Sequence, residues 1–219
     1  MYGFAQELIH LFAALLLLMS FAMLTQRRIV SLIKLLALQG FILSIDMAFV
    51  AYVTGQSELY ISVLLTLFLK VWLIPYVLLR LLIRLQVENK IQPSVNHPTI
   101  LLIGLALVIF AFNLSLPITR ITSAPSRETL ALALASVLLS LFMMIIKRRA
   151  ISQVISFLAL ENCLFFVAGS ATNGMPLVVE LGMAFDVLIG LFIFGLFFFQ
   201  IRDTFDSFDL HHLEKLREE

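Results

Sequence analysis

Two acidic residues occupy apolar stretches that are long enough to cross a bilayer. Glu161 lies in F-L-A-L-E-N-C-L-F-F and Asp186 lies in E-L-G-M-A-F-D-V-L-I-G-L, each near the middle of its stretch. A charged side chain at that depth is costly and usually faces a bundle interior or a hydrated cavity, where such residues mark ion and proton pathways. The two acids therefore indicate proton or cation transfer.

Lys70, in L-K-V-W-L-I-P, lies at a similar depth in a third apolar stretch. A helix rises about 1.5 Å per residue and the hydrocarbon core is about 30 Å thick, so its middle lies about ten residues from either edge. Glu161, Asp186 and Lys70 all fall within a few residues of that level. Burial favours the neutral forms of acids and lysines, whereas mutual approach favours their charged forms, so a mixed cluster can exchange a proton with little change in free energy. The sequence thus predicts one buried polar layer.

Further polar residues extend this layer along the helices. Asp46 and Gln39 are seven residues apart and share a helix face. Glu180 lies six residues before Asp186, about 9 Å closer to the predicted outer surface. The resulting candidate proton or ion path contains Glu161, Asp186, Lys70, Glu180, Asp46 and Gln39.

A purely structural interpretation of these residues stays open. Polar side chains join membrane helices through hydrogen bonds worth about 1 kcal/mol each, and Glu161 with Asn162 could serve only that purpose. Lys70 could be the counter-ion of either acid or of a carboxylate in another subunit. Pro75 removes a backbone hydrogen bond and predicts a kink just beyond Lys70. Such a kink would open room for water, but kinks are also common in membrane helices without a transport role.

The composition places the chain in a lipid environment. Hydrophobic residues make up 61% of 219, the mean hydropathy is +1.05 and only 13% of residues are charged, which is typical of an integral membrane protein. The net charge of +1 gives no indication of a nucleic-acid partner. The single cysteine, Cys163, is expected to pack as a small hydrophobic residue. Without a glycine-rich phosphate loop, an iron-sulfur cysteine pattern or a nucleophile arrangement, the sequence predicts no cofactor, no metal and no catalytic centre.

Seven segments contain the roughly 20 mostly apolar residues that a membrane-spanning helix requires. They lack the period-2 alternation of strands, and open strands cannot satisfy their backbone groups in hydrocarbon, so the predicted fold is an all-α integral membrane protein. The predicted spans are 3–24, 29–53, 59–82, 99–116, 128–146, 150–171 and 177–201.

Basic residues collect at every second boundary between the predicted spans. The positive-inside rule therefore places the amino terminus outside and the carboxyl terminus in the cytoplasm. The first segment has no basic region before it and is expected to be a retained helix rather than a signal peptide. The basic residues on the predicted cytoplasmic side are Arg27, Arg28, Arg80, Arg84, Lys90, Lys147, Arg148, Arg149, Lys215 and Arg217.

An internal repeat relates the two halves of the chain. The stretch R-R-I-V-S-L-I-K-L-L-A-L-Q-G, at 27–40, is similar to R-R-A-I-S-Q-V-I-S-F-L-A-L-E-N, at 148–162. This alignment sets Gln39 opposite Glu161, and the helices that follow set Lys70 opposite Asp186. Both halves start outside, which predicts parallel three-helix repeats joined by a linking helix. The predicted organisation is a first unit at 1–85, a linking helix with its loops at 86–127, a second unit at 128–201 and a cytoplasmic tail at 202–219.

The last three predicted helices resemble the small three-helix membrane subunit of respiratory complex I and of multi-subunit cation/proton antiporters. The residues that carry this resemblance are K-R-R, then L-E-N, then D-V-L-I-G-L. The whole chain resembles component E of hydrogenase-4, from formate hydrogenlyase-type complexes, through L-K-V-W-L-I-P, E-L-G-M-A-F-D and the tail F-D-L-H-H-L. The resemblance matches Glu161 to the first membrane glutamate of the small subunit and Asp186 to the second, shortened to aspartate. Gln39 and Lys70, in the first half, depart from that pattern.

The resemblance implies a membrane-arm subunit of a complex in the bacterial inner membrane. Its partners would be the bilayer, large antiporter-like subunits and other membrane subunits, and redox chemistry in other subunits would drive proton or cation translocation past Glu161 and Asp186. One alternative is a scaffold subunit of an antiporter-like complex that moves no ion itself. Another is a self-sufficient carrier, although broken-helix signals in both halves, which such a carrier requires, are lacking.

Overall fold

The computed structural model describes residues 2–55, 57–84, 96–118, 127–172 and 190. The chain forms two compact units, Met1–Met183 and Ala184–Glu219, and all elements named below belong to the first. These elements are the α-helices α1 (Tyr2–Thr25), α2 (Ile29–Thr54), α3 (Ser57–Thr66), α4 (Ile74–Arg84), α5 (His97–Ile118), α6 (Arg127–Ile146) and α7 (Ala150–Thr172), with a π-helical segment, Leu67–Leu73, between α3 and α4.

Within the residues that the structure describes, six helical stretches are long and apolar enough to cross a membrane, judged by length and composition. They coincide with the first six predicted spans, which confirms an almost entirely helical chain with the character of a membrane protein. The predicted seventh span, 177–201, lies outside the described residues apart from Gly190. The stretches are Glu7–Thr25, Ile29–Val53, Val63–Ile83, His97–Leu116, Glu128–Ile146 and Ile151–Ala168.

Polar contacts at both ends show that α1 and α6 run in the same direction. Near their starts, His10 Nε2 lies 2.8 Å from Glu128 Oε2. Just beyond their ends, Lys147 Nζ donates a hydrogen bond of 2.6 Å to the carbonyl oxygen of Gln26. The two helices therefore lie side by side in register, as expected of equivalent helices in parallel repeats.

The start of α5 lies beside the end of α1. Just beyond α1, Arg27 Nε donates a hydrogen bond to Nε2 of His97, the first residue of α5. Gly104 allows α5 to approach α1 and α6 closely. A Cβ atom at Gly104 would lie 3.1 Å from Phe21 Cε1 and 3.2 Å from Leu24 Cδ2. The helix predicted to link the two halves thus packs directly against one helix of each.

The apolar core lies where α1, α2, α6 and α7 meet. Its buried members include Leu16, Leu43, Ala133 and Phe166, one from each of these helices. Further apolar side chains of α2 and α7 are also buried, among them Leu32, Ile33, Ile155 and Leu158. This four-helix core holds α2 and α7 together and leaves the third span free to pack on α2.

The third span is interrupted by the π-helical segment. Pro75 has no N–H, and its ring would clash in a regular α-helix with the carbonyl group of Val71, four residues earlier. The chain widens its turn just before the proline, where the Ile74 N–H bonds to the carbonyl oxygen of Leu69, five residues back. The interruption therefore includes Lys70 itself, whereas the sequence predicted a kink beyond it. Wide turns of this kind recur at functional sites.

Candidate functional site

A buried ion pair joins the π-helical segment to α7. Lys70 Nζ lies 2.7 Å from Glu161 Oε1 and donates a second hydrogen bond, of 2.9 Å, to Asn162 Oδ1. Only 4% of Lys70 and 8% of Glu161 are exposed. The ammonium group also lies 5.2 Å from the ring centre of Phe165, within the range of a cation–π interaction. Three residues of α7 thus surround one charge from the third span.

Gly40 of α2 lies at the close contact between α2 and the π-helical segment that carries Lys70. A Cβ atom at Gly40 would lie 3.0 Å from Lys70 Cβ and 3.6 Å from the carbonyl carbon and oxygen of the same residue. Because glycine has no side chain, α2 lies directly against the backbone of the π-helical segment. This close approach places Lys70 opposite Glu161 and Asn162.

A chain of polar contacts continues from the ion pair across the bundle. Asn162 Nδ2 lies 3.5 Å from Gln39 Oε1, and Gln39 Nε2 lies 3.3 Å from Cys163 Sγ. The hydroxyl oxygens of Ser20 and Ser140 lie 3.8 Å and 3.7 Å from the same sulfur. All five side chains are buried. The layer therefore includes side chains from α1, α2, α6, α7 and the π-helical segment.

The polar environment of Cys163 was not predicted from the sequence, which indicated a small apolar residue. Ser20 and Ser140 also donate to carbonyl oxygens of their own helices, those of Leu16 and Ser136. Serines in membrane helices commonly bond to their own backbone in this way. The positions of Ser20 and Ser140 in the sequence therefore did not indicate that both would contact Cys163.

The structure brings together three of the six predicted path residues. Lys70, Glu161 and Gln39 all belong to the buried layer, in which Lys70 pairs with Glu161, one of the two acids predicted as its counter-ion. Asp46 is 5% exposed and lies two turns beyond Gln39 along α2, about 10 Å by the helical rise. Its Oδ1 atom has no hydrogen-bond partner among the residues that the structure describes. The other two path residues, Asp186 and Glu180, lie outside the described residues.

The ion pair is arranged for proton exchange between a base and an acid. The donor and acceptor atoms are 2.7 Å apart, so a proton can pass from the ammonium to the carboxylate without movement of either helix. The charged pair and the neutral pair have the same total charge, so neither adds a net charge to the bundle interior. An isolated charge there would be far more costly. The pair can therefore hold its shared proton on either residue without adding a net charge to the bundle interior.

A second buried lysine lies away from this layer, at the end of α6. Lys147 is 5% exposed and follows the fifth span directly. Burial lowers the pKa of Lys147 to about 8 from its ordinary 10.5. Its ammonium bonds to the carbonyl oxygen of Gln26.

Raising the pH from 7 to 9 is expected to increase the free energy of unfolding in neutral detergent by about 1 kcal/mol through Lys147. Between pH 8 and 10.5 the unfolded chain binds more protons at this lysine than the folded chain, so stability rises with pH in that window. Below this pH window the lysine is protonated in both the folded and the unfolded chain, so it adds no pH dependence to the free energy of unfolding. Chemical unfolding followed by circular dichroism measures the effect. An equal rise in Lys147→Met would contradict this assignment.

Comparison with known proteins finds an uncharacterized relative. The chain is 34% identical over 131 residues to the uncharacterized protein Rv0085 of Mycobacterium tuberculosis, and the match spans 60% of this chain and 60% of that protein. No protein-family profile matches the chain, and no solved structure matches it. The resemblance to component E of hydrogenase-4 therefore stays a prediction, and what is shown is a distant relationship to that uncharacterized protein.

Proposed function

We propose that this chain is a membrane-arm subunit of a hydrogenase-4, formate hydrogenlyase-type or complex I-like assembly in a bacterial inner membrane. In this proposal, protons or cations pass Lys70 and Glu161, driven by redox chemistry in other subunits. The observation that carries it is the buried Lys70–Glu161 pair on a π-helical turn near the middle of a candidate span. Intramembrane ionisable residues of this kind mark ion and proton paths.

The geometry supports a relay through the ion pair. A proton that reaches Glu161 neutralises the carboxylate and weakens its hold on Lys70, which keeps its hydrogen bond to Asn162. With the Glu161 charge gone, transfer of the Lys70 proton onward, or movement of the ammonium toward another acid, becomes more favourable. The wide turn around Lys70 is the element best suited to such a movement, since π-helical hydrogen bonds are less regular than those of an α-helix.

The arrangement of α1 and α6 supports the proposed topology. These two helices, which the predicted repeats make equivalent, run in the same direction. The proposal therefore includes seven spans, two parallel three-helix units and an amino terminus outside the cell. Asp186, Glu180 and Asp46 enter the proposed path on the strength of their positions in the sequence.

The scaffold alternative is supported by the outer face of the third span. Phe68, Trp72 and Tyr76 are each about half exposed and form a ladder with ring centres 5.1 Å and 6.1 Å apart. Arg80 ends the ladder and bonds to the Tyr76 hydroxyl. Aromatic side chains and arginine are enriched in protein interfaces, so this ladder favours contact with a neighbouring subunit. A chain with this role could still carry ions on its inner face.

Glu161→Gln separates translocation from scaffolding in the intact assembly. Glutamine keeps an oxygen for Lys70 but cannot take up a proton, so we expect translocation to fall roughly a hundredfold while the complex still assembles. Proton uptake by membrane vesicles, measured beside the redox activity of the complex, provides the readout. Glu128→Gln is the matched control, because Glu128 is an exposed acid at the start of α6.

The two functions predict different results for the paired variants. Glu161→Gln and Asp186→Asn together should abolish coupling if ions pass these acids. Unchanged translocation in an assembled complex that carries both substitutions would leave only the scaffold role.

A further inference from the structure

A recess lies between the end of α1, the start of α5 and the end of α6. Its floor is apolar and is formed by Leu24, Ile100 and Ile146. Its polar lining includes Arg27, His97 and Lys147, all able to donate hydrogen bonds. The recess therefore combines a cationic rim with a hydrophobic base, which suits a ligand that has both characters.

Lys147 and Arg27 have more N–H donors than the hydrogen bonds described above use. Lys147 Nζ uses one of its three donors on the Gln26 carbonyl oxygen, and Arg27 uses its Nε on His97. Neither cation forms an ion pair with an acid in the described part of the chain. A buried ammonium without an anion is energetically unfavourable. An anion that entered the recess would satisfy both groups.

The position of the recess along the bundle indicates where this anion comes from. Thr25 and Ile146 end the first and fifth candidate spans, and His97 begins the fourth, so the recess lies at the membrane boundary. Arg28 and Arg148 are exposed beside it. Basic pockets between membrane helices at this level bind the head groups of anionic lipids.

We propose that the recess binds the phosphate group of an anionic phospholipid. Lys147 and Arg27 hold the phosphate oxygens, since charge-assisted hydrogen bonds to phosphate are strong and arginine fits its geometry. The position of the recess at the membrane boundary, with further basic residues beside it, favours a lipid head group over a free phosphate ion. The site is separate from the Lys70–Glu161 layer and does not depend on ion translocation.

Native mass spectrometry of the full chain in neutral detergent tests the site. Phosphatidylglycerol, phosphatidylcholine and inorganic phosphate are titrated separately against the original protein and three variants. We expect Lys147→Met and Arg27→Gln each to raise the apparent Kd for phosphatidylglycerol roughly tenfold. Lys34→Gln is the matched control, because it removes one positive charge from an exposed position on α2 and should leave the Kd unchanged.

Each arm of this experiment has a decisive result. Preferential retention of phosphatidylglycerol, lost in both variants and kept in the control, supports the site. Equal retention of phosphatidylcholine would overturn it, because the cations would then contribute nothing. Competition by millimolar inorganic phosphate alone would assign the site to a free anion. If Lys147→Met does not fold, the Kd measured for Arg27→Gln decides whether the site exists. Arg27 is exposed, so its substitution should leave the fold intact.

Discussion

Glu161→Met is expected to lower the free energy of unfolding by about 3–5 kcal/mol, the usual effect of removing one partner from a buried ion pair. The substitution removes the carboxylate that lies 2.7 Å from the ammonium of Lys70, a residue only 4% exposed. Reversible unfolding in mixed micelles, followed by circular dichroism, measures the loss.

The double variant Lys70→Met/Glu161→Met should recover most of that stability. Both charges are then gone, and two flexible apolar side chains of similar length fill the space. Glu128→Met serves as the control, because an exposed acid should change the free energy of unfolding by less than about 1 kcal/mol. If the double variant were as unstable as Glu161→Met, the loss would come from altered packing rather than from an uncompensated charge.

Gly40→Leu is expected to destabilise the chain by about 3 kcal/mol, because the added side chain would overlap Lys70 and force the two packed segments apart. Even the first added atom would lie 3.0 Å from Lys70 Cβ. The π-helical segment must shift away from α2, and the distance between Lys70 and Glu161 must then increase. Trp72, the single tryptophan, lies two residues from Lys70, so its fluorescence reports the shift.

Gly40→Ala tests whether the free energy of unfolding rises or falls, because two effects predict opposite changes. Helix propensity alone predicts that alanine stabilises a helix by about 1 kcal/mol relative to glycine. The close contact with Lys70 predicts a loss instead. A stabilised Gly40→Ala variant with unchanged Trp72 fluorescence would show that α2 and the π-helical segment are not in contact at this point.

The six described spans could be predicted because their signal is local. Each apolar stretch has the length of the hydrocarbon core, and short polar separators mark its ends. The depth of Lys70 and Glu161 followed from the same stretches, and the repeat placed Gln39 at the level of Glu161. In the structure these three side chains belong to one buried layer of polar contacts.

Contacts between helices could not be predicted in the same way. Lys70 could have paired with either acid or with another subunit, and the choice of Glu161 depends on how closely α2 approaches the π-helical segment at Gly40. The contacts of Cys163 with Ser20 and Ser140 depend on the rotation of three helices about their axes. The π-helical turn changes which carbonyl group each N–H reaches, and Pro75 was its local signal.

The ion pair also constrains the order in which the protein is made. Lys70 precedes Glu161 by 91 residues, so the ribosome synthesises the third span well before α7. During that interval the nascent lysine has no carboxylate from α7 beside it. The buried pair between Lys70 and Glu161 can therefore form only after α7 has been made.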